Sequence, residues 1–297
     1  MLARKLYVVV LLVLFCFVCV LCGRANADTI AYWRFDEDSK WDTQLNDSVG
    51  GHHFDNSAYE VTTEESGLWD PVPSSGASNS RRVQFDVTGL YNDSAHVDGG
   101  AGDVWTPANG FTIEAFVRPS AVRDQTILGH CAYTAPNSGW CFQLKDSGSA
   151  CFPELRIYNG STEQTLTLDE FPMLAGNTYA VAASYDGSSQ IKLYARQNTE
   201  VSDPWTSVSK DVSEFGDVAS SEKPLILGAY GDPIYGTYEH FGGAMDEVRF
   251  SSGALSEAEL LATPEPGTTC LAILAAVAGV FAVWRKKRQS SSPDDEE

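Results

Sequence analysis

Basic residues are scarce in this sequence. Its 297 residues include 20 Lys and Arg against 40 Asp and Glu, which gives a formal net charge of −20 at pH 7. So acidic a surface repels the phosphates of nucleic acid and of anionic lipid headgroups, and it favours solubility, cations, and neutral or basic partners. We therefore expect no nucleic-acid partner.

Helical periodicity is almost absent between residues 28 and 263. This stretch reads as many short runs of alternating apolar and polar residues, separated by polar, Gly-rich turns. The clearest run is 111–117, whose odd-numbered side chains are all apolar and share one face, while Glu114 points to the other. The pattern predicts a single all-β domain, a two-sheet antiparallel sandwich, with residues 38–80 mostly in loops.

Cysteines are few in this domain. Of the seven in the chain, three lie between residues 28 and 263, at Cys131, Cys141 and Cys151. In an oxidising compartment an odd number suggests one disulfide and one leftover thiol. The equal spacing allows a bridge from Cys131 to Cys141 or from Cys141 to Cys151, each closing a hairpin, and the sequence leaves both open.

The N-terminal residues 1–27 have the composition of a secretory signal peptide. Arg4 and Lys5 precede a long apolar run, and the small residues at 25–27 form a cleavage site. We expect the mature domain, residues 28–263, to begin at Asp28 and to be exported.

The C-terminal residues predict a second membrane segment. The apolar run 271–284, taken with residues 267–270, approaches the length needed to span a bilayer, and the basic cluster 285–288 follows it at once. The positive-inside rule places that cluster in the cytoplasm and the domain outside. We expect anchoring in the inner membrane, transient or permanent, and we interpret residues 289–297 as an acidic tail.

Three stretches of the domain resemble one known family. AYWRFDE at 31–37, FTIEAFVRP at 111–119, and AMDEVRF with ALSEAEL at 244–260 resemble the opening, central and closing strands of LamG-like domains of the concanavalin A-like lectin/glucanase superfamily. The resemblance covers residues 30–261. It implies a jelly roll of two curved antiparallel sheets, in which the chain ends meet at the first and last strands. Ser256 and Glu259 additionally predict a capping box that opens a helical turn.

Asp246 is the candidate metal ligand. By the period-two rule it shares a strand face with Val248, so we expect the carboxylate to lean toward the core, where it needs a partner. Backbone N–H groups or Arg34 could satisfy it. The resemblance implies instead a structural Ca²⁺ at the junction of the first and last strands, bound by Asp246 and, by proximity, by Asp36 or Glu37.

Tyrosines and carboxylates cluster in one Gly-rich stretch before the last strand: Tyr230, Asp232, Tyr235, Tyr238 and Glu239. Tyrosine rings can stack on a sugar face while carboxylates accept hydrogen bonds from its hydroxyls. This pattern predicts a ligand site for an extracellular polysaccharide or a cell-surface glycan. The alternative is a long loop that anchors its aromatic residues on its own scaffold.

Catalytic motifs are missing. Glycoside hydrolases of the resembling superfamily carry their carboxylates on one strand in a pattern like E-x-D-x-x-E, which does not occur here. The pairs 169–170 and 246–247 are adjacent, so we expect their side chains to point to opposite faces. We predict a non-catalytic adhesion or carbohydrate-binding module. A structural or protein-binding matrix protein is the alternative, and a divergent glycoside hydrolase is less favoured.

The residues after the domain suggest how the protein is sorted. Pro264, Glu265 and Pro266 are followed by the apolar span and the basic cluster. Together, residues 264–288 resemble the PEP-CTERM sorting signal, which implies an exosortase-type enzyme as a partner, cleavage near Pro266, and delivery to the cell surface or extracellular matrix of a bacterium that makes exopolysaccharide. A plain single-span anchor is the alternative.

Overall fold

The computed structural model describes residues 27–37, 43–56, 61–86, 95–97, 103–132, 137–198, 203–232 and 236–264. Within these ranges the strands are β1 (Thr29–Trp33), β2 (Gln44–Leu45), β3 (Phe54–Asp55), β4 (Thr62–Glu65), β5 (Arg81–Phe85), β6 (Ala95–Val97), β7 (Phe111–Pro119), β8 (Gln125–Ala132), β9 (Ser138–Asp146), β10 (Cys151–Asn159), β11 (Glu163–Thr167), β12 (Tyr179–Tyr185), β13 (Gln190–Gln197), β14 (Thr206–Asp211), β15 (Ile226–Leu227), β16 (Tyr230–Asp232), β17 (Gly236–Tyr238) and β18 (Gly243–Ser252). Two 3₁₀ turns accompany them, at Asp103–Trp105 and Glu257–Glu259.

The strands form two large antiparallel sheets. The first has the order β14-β13-β12-β7-β18-β5-β4, with β1 also paired to β18, and the second has the order β11-β10-β9-β8-β15-β6-β3-β2. The opening strand therefore pairs with the closing strand, with Trp33 opposite Val248. This confirms the predicted all-β sandwich, which is consistent with a jelly roll, and the meeting of its first and last strands.

The core lies between the inner faces of the two sheets. Phe250 of the first sheet stacks on Trp140 of the second, with 5.6 Å between ring centroids, and on Phe111 at 5.8 Å. The odd-numbered residues of 111–117 are buried in this core, as the alternation predicts. Burial of these apolar side chains supplies the main force that holds the sheets together.

Several elements were not expected from the sequence. Residues 38–80 are mostly loop where they are described, as expected, but they also contribute the short strands β2, β3 and β4. These strands have two to four residues each, too few for an alternating pattern to be recognised. Strand β14 was also missed, since it lies at a sheet edge and carries almost no apolar side chains.

The predicted orientation of Asp246 was wrong. The register of β18 against β7 slips between Asp246 and Arg249, and Glu247 has a φ of 50°. A β-bulge of this kind interrupts the period of two. Met245 and Val248 therefore face the core, whereas Asp246 and Glu247 both lie on the outer side of the first sheet, not on opposite faces.

A buried ion pair holds the end of the domain against that outer side. Glu114 accepts hydrogen bonds from the Leu261 N–H at 2.7 Å and from Arg249 Nε at 2.6 Å, and Arg249 donates to the Glu259 carbonyl at 2.9 Å. The Glu259 carboxylate accepts from the Ser256 N–H at 2.9 Å, which confirms the capping box, although the helix is one 3₁₀ turn.

The terminal predictions concern residues outside the described ranges. Both the signal peptide and the apolar run 271–284 fall there. Among the residues that are described, no helix is long and apolar enough to cross a membrane.

Candidate functional site

The outer side of the second sheet carries an unusual set of polar side chains. We call it the polar face and define it by Cys131 of β8, Cys141 and Gln143 of β9, Glu154, Arg156 and Tyr158 of β10, and the hairpin of β16 and β17. Alternation along β9 and β10 turns these residues away from the core, while their apolar neighbours face inward.

Glu154 is the centre of a hydrogen-bond network on the polar face. Its Oε1 accepts from Gln143 Nε2 at 2.9 Å and from Arg156 Nε at 2.8 Å, and its Oε2 accepts from Thr167 Oγ1 at 2.8 Å. Burial acts to lower the pKa of Arg156, but the negative charge of Glu154 acts more strongly in the other direction. The net result is a raised pKa. The guanidinium is thus a fixed cation, and no described residue bonds its terminal NH₂ groups.

The tyrosine hairpin lies beside this network. Tyr230 is buried, whereas Tyr238 is 48% exposed, and their ring centroids are 5.8 Å apart. The hairpin packs on β8, where a Cβ on Gly129 would come within 2.6 Å of Tyr230 Cβ, so that only glycine fits. The structure thus brings Tyr230 and Tyr238 together, and Tyr230 belongs to the same buried cluster as Tyr158.

The other residues predicted for this stretch are placed in part. Asp232 lies in β16 opposite Gly236. Tyr235 lies outside the described residues. Glu239 follows the hairpin with a φ of 49°, and its Oε2 is buried without a hydrogen-bond partner. Burial raises the pKa of Glu239, with Asp124 and Glu154 acting in the same direction and Arg156 against it.

The three cysteines that the structure describes, Cys131, Cys141 and Cys151, are free thiols. Cys141 points to the polar face, whereas Cys151 points into the core. In the β9–β10 ladder Cys141 pairs with Arg156, five positions from Cys151, which is a separation of about 16 Å. Because a disulfide needs Cα atoms within about 7 Å, the predicted alternative of Cys141 with Cys151 was wrong.

Asp246 is fully buried on the outer side of the first sheet. Its Oδ2 accepts from the Leu68 N–H and from Asn79 Nδ2, both at 2.7 Å, and its Oδ1 accepts from the Glu247 N–H at 2.9 Å. Burial raises its pKa to about 7 despite these bonds, and nearby Asp36 adds to the rise. Backbone N–H groups therefore supply partners for this carboxylate, one of the two arrangements expected for it.

Glu247 and Asp36 lie near Asp246, and we call these three carboxyl groups the acidic corner. Tyr32 Oη donates to Glu247, Arg34 Nε lies 3.5 Å from Glu247 Oε1, and burial raises the Glu247 pKa to about 8. Asp36 is paired with Arg34 at 2.9 Å. Asn79 Oδ1 is buried without a hydrogen-bond partner. The same amide donates to Asp246 through Nδ2, and an amide oxygen of this kind is a ligand that a hard cation accepts.

Carboxylates alone do not complete a metal site. In the part of the chain that the structure describes, no group of three or more His, Cys, Asp or Glu side chains could hold a metal ion. A cation at this corner would therefore need the amide oxygen of Asn79 and main-chain oxygens in addition to Asp246. Of the predicted sorting motif, Pro264 is exposed, and Glu265 and Pro266 lie outside the described ranges.

Three solved structures illustrate the similarity to known folds. The botulinum neurotoxin serotype C1 binding domain is 14% identical with a TM-score of 0.43, covering 77% of this chain and 49% of that one. The Ruminococcus gnavus IT-sialidase CBM40 is 19% identical with a TM-score of 0.40, covering 52% and 82%. A heptameric SAP-like pentraxin from Limulus polyphemus is 15% identical with a TM-score of 0.37, covering 50% and 66%.

The chain thus spans about half the length of the toxin domain. No curated protein matches it. The family profile described as the concanavalin A-like lectin/glucanases superfamily matches residues 91–261. That match covers more than half of the chain, and it includes β7, the closing strand β18 and the polar face between them. The chain therefore belongs to the concanavalin A-like lectin/glucanase superfamily.

Proposed function

We propose that this protein is an exported, non-catalytic carbohydrate-binding module whose site is the polar face. The observation that carries the proposal is the half-exposed ring of Tyr238, held against buried Tyr230 beside the Glu154–Arg156 network. A sugar can stack its C–H face on the exposed ring while its hydroxyls bond to the fixed guanidinium and to the Tyr158 hydroxyl. Both polar groups are already ordered, which lowers the entropic cost of binding.

Binding is favoured over hydrolysis by the state of the carboxylates. A glycosidase needs one carboxylate free to attack or to activate water, and a second group to protonate the leaving oxygen. Both oxygens of Glu154 already accept hydrogen bonds, from three donors in all. This supports a role for Glu154 in orienting Arg156, with Glu239 available to exchange a hydrogen bond with a sugar hydroxyl.

The charges around the site favour a neutral or amino sugar. Arg156 is paired with Glu154, and Lys145 is paired with Asp124 at 2.6 Å, so both of these cations are offset by a carboxylate. Glu239 adds a further acidic group, and the chain as a whole carries a net charge of −20. An extracellular polysaccharide or cell-surface glycan with few acidic groups is the partner that this arrangement suits best.

Tyr238→Ala is expected to weaken binding of the recognised glycan about tenfold, which corresponds to ~1.4 kcal/mol. The lost ring is 48% exposed, so the melting temperature should barely change. Isothermal titration with the glycan checks this prediction, and Tyr238→Phe should retain most of the affinity because it keeps the stacking face.

Leu174→Ala is the matched control, because Leu174 is 51% exposed but lies away from the hairpin. If Tyr238→Ala binds as the wild type does, or if both variants lose affinity equally, the site does not lie on the polar face.

We further propose that Ca²⁺ binds at the acidic corner. Asp246, the orphaned oxygen of Asn79 and, after rearrangement of its pair with Arg34, Asp36 are the side chains that would hold it. A bound divalent cation would supply positive charge to the buried carboxyl groups of Asp246 and Glu247, of which Glu247 lies 3.5 Å from Arg34.

The C-terminal segment is proposed to be a sorting signal read by an exosortase-type enzyme. Hydrogen bonds hold Thr263 against the domain. Its hydroxyl donates to the Glu257 carbonyl at 2.6 Å and accepts from Trp205 Nε1 at 2.9 Å. Pro264, the first residue of the motif, follows at once and is exposed. Extended, accessible backbone suits recognition by a membrane-bound enzyme.

Mass spectrometry of the protein from its own cells tests this sorting proposal. We expect a mature chain that begins at Asp28 and lacks everything after about Pro266. Recovery of peptides from the basic cluster 285–288 would instead mean a plain membrane anchor.

A further inference from the structure

The sequence Gly-x-Cys occurs on two neighbouring strands of the polar face, as 129–131 of β8 and 139–141 of β9. The antiparallel register sets Gly129 opposite Cys141 and Cys131 opposite Gly139. Each cysteine therefore faces a glycine across the ladder, and no side chain separates the two thiols. We propose that Cys131 and Cys141 form a cross-strand disulfide when the protein is oxidised, and that Cys151 remains a thiol.

The local geometry brings the sulfurs together. Diagonal neighbours in an antiparallel pair have Cα atoms about 7–8 Å apart, just above the range of disulfides, so the strands must close slightly. Glycine at both facing positions permits this approach. Gly139 has a φ of 84°, and a Cβ there would overlap the His130 carbonyl oxygen, so that only glycine fits opposite Cys131. Burial raises the pKa of Cys141, and the neighbouring Cys131 thiol raises it further.

Burial decides when the bond can form. Cys131 and Cys141 are 3% and 2% exposed, and they pack in one cluster with Tyr158 and Tyr230. A raised thiol pKa leaves little thiolate, and the thiolate is the species that attacks a disulfide. We expect slow oxidation of the folded protein and fast oxidation before the tyrosine hairpin packs over the strands. Once formed, the bond is shielded from reductants by the same tyrosines.

The chemistry is thiol–disulfide exchange with a small disulfide such as oxidised glutathione. One cysteine thiolate attacks a glutathione sulfur and releases the first reduced glutathione. The second cysteine, as its thiolate, then attacks the mixed disulfide and releases the second. Two protein thiols are oxidised and one glutathione disulfide is reduced to two thiols. Cys151 takes no part, because it is fully buried on the inner face of β10.

The bond would also make the two strands under the proposed binding site more rigid. This consequence rests on the proposed function. It would join β8 to β9 directly beneath Tyr230, the inner member of the tyrosine pair. The exposed Tyr238 ring would then sit on a covalently tied platform, which reduces the entropy lost when a ligand orders it.

Refolding the purified chain in a mixture of oxidised and reduced glutathione, followed by alkylation in denaturant and peptide mapping, tests the proposal. We expect a cross-linked peptide pair containing Cys131 and Cys141, about 2 Da lighter than the sum of its reduced peptides, with Cys151 alkylated. The Cys151→Ser variant should keep the cross-link, whereas Cys131→Ser and Cys141→Ser should each abolish it.

Full alkylation of Cys131, Cys141 and Cys151 after oxidative refolding overturns the proposal, and so does any linkage that includes Cys151. The wild type is sufficient for either outcome, so a serine variant that fails to fold leaves the test intact. Peptide mapping detects which cysteines are cross-linked and does not depend on whether the protein binds a sugar. A cross-link found in a protein that binds no glycan would therefore reject the proposed function and keep this inference.

Discussion

Glu114→Ala is expected to lower the free energy of unfolding by about 3–5 kcal/mol, the usual cost of removing one partner of a buried ion pair. The loss leaves the Arg249 guanidinium, whose side chain is only 16% exposed, without its carboxylate. It also removes the acceptor of the Leu261 N–H and so loosens the end of the domain from the first sheet. Urea denaturation measures the change directly.

Two further variants make the Glu114 result specific. Glu170→Ala removes an exposed glutamate and should change stability by no more than about 0.5 kcal/mol. The double variant with methionine at positions 114 and 249 should recover much of the loss, because apolar residues of similar volume often replace a buried ion pair without cost. A loss below about 1 kcal/mol for Glu114→Ala would show that the pair does not hold this segment.

Without calcium, Asp246 and Glu247 are each expected to lower the stability of the protein as the pH rises from about 4 to 8. Burial raises the pKa of Asp246 from 3.8 to about 7 and that of Glu247 from 4.5 to about 8. Between its unfolded and its folded pKa, each carboxyl group keeps a proton in the folded chain that it has released in the unfolded chain. The free energy of unfolding therefore falls with rising pH, by up to about 1.4 kcal/mol per pH unit for each group.

Asp246→Asn separates this effect from other titrations. The amide cannot ionise, so in EDTA the stability of the variant relative to the wild type should rise between about pH 4 and pH 7 and stay level above that range. Arg34 and Asp36 face the same corner in both proteins and cancel in the comparison. Parallel pH profiles for the two proteins would rule out the burial argument for Asp246.

Added calcium should reverse the order of stability of the wild type and Asp246→Asn. If the ion binds the ionised carboxylate, it should raise the melting temperature of the wild type most at high pH and leave Asp246→Asn unchanged. A wild type that melts alike in calcium and in EDTA would remove the calcium proposal and leave the pH prediction standing.

The sheet architecture could be predicted because it depends on alternation and on a family resemblance. Strands such as β7 and β12 bury long apolar runs and are bounded by Gly-containing turns, signals that survive without any tertiary information. Strand β14 has almost no apolar residues, and its place is set by pairing with β13 at the sheet edge. Such pairing depends on the neighbour and not on the strand itself.

The bulge at Asp246 could not be predicted from the period of two. Its position depends on how β18 fits β7 and on the left-handed backbone of Glu247, which side-chain alternation does not encode. One extra residue moved the carboxylate from the core face to the outer side of the sheet. The expectation of a buried, partnered Asp246 was right, because any position in the middle of a covered sheet is buried.

The polar face was missed, although the sequence contained a signal. Glu154 and Arg156 alternate with apolar residues inside β10, and such a spacing places both charges on one outward face. Their link to Gln143 required the β9–β10 register, which only the fold supplies. The tyrosine pair was recognised from its Gly-rich context, but its position over β8 depends on the contact with Gly129.

The central claim is that the polar face binds a glycan without cleaving it. The most direct test incubates the purified protein with bacterial, algal and plant polysaccharides, in calcium and in EDTA, and measures both retention of the protein and release of reducing ends. We predict retention on one class of neutral or amino-sugar polymer, loss of that retention in Tyr238→Ala, and no new reducing ends. Retention on none of them would contradict the claim in favour of a structural or protein-binding role, and release of reducing ends would identify a hydrolase.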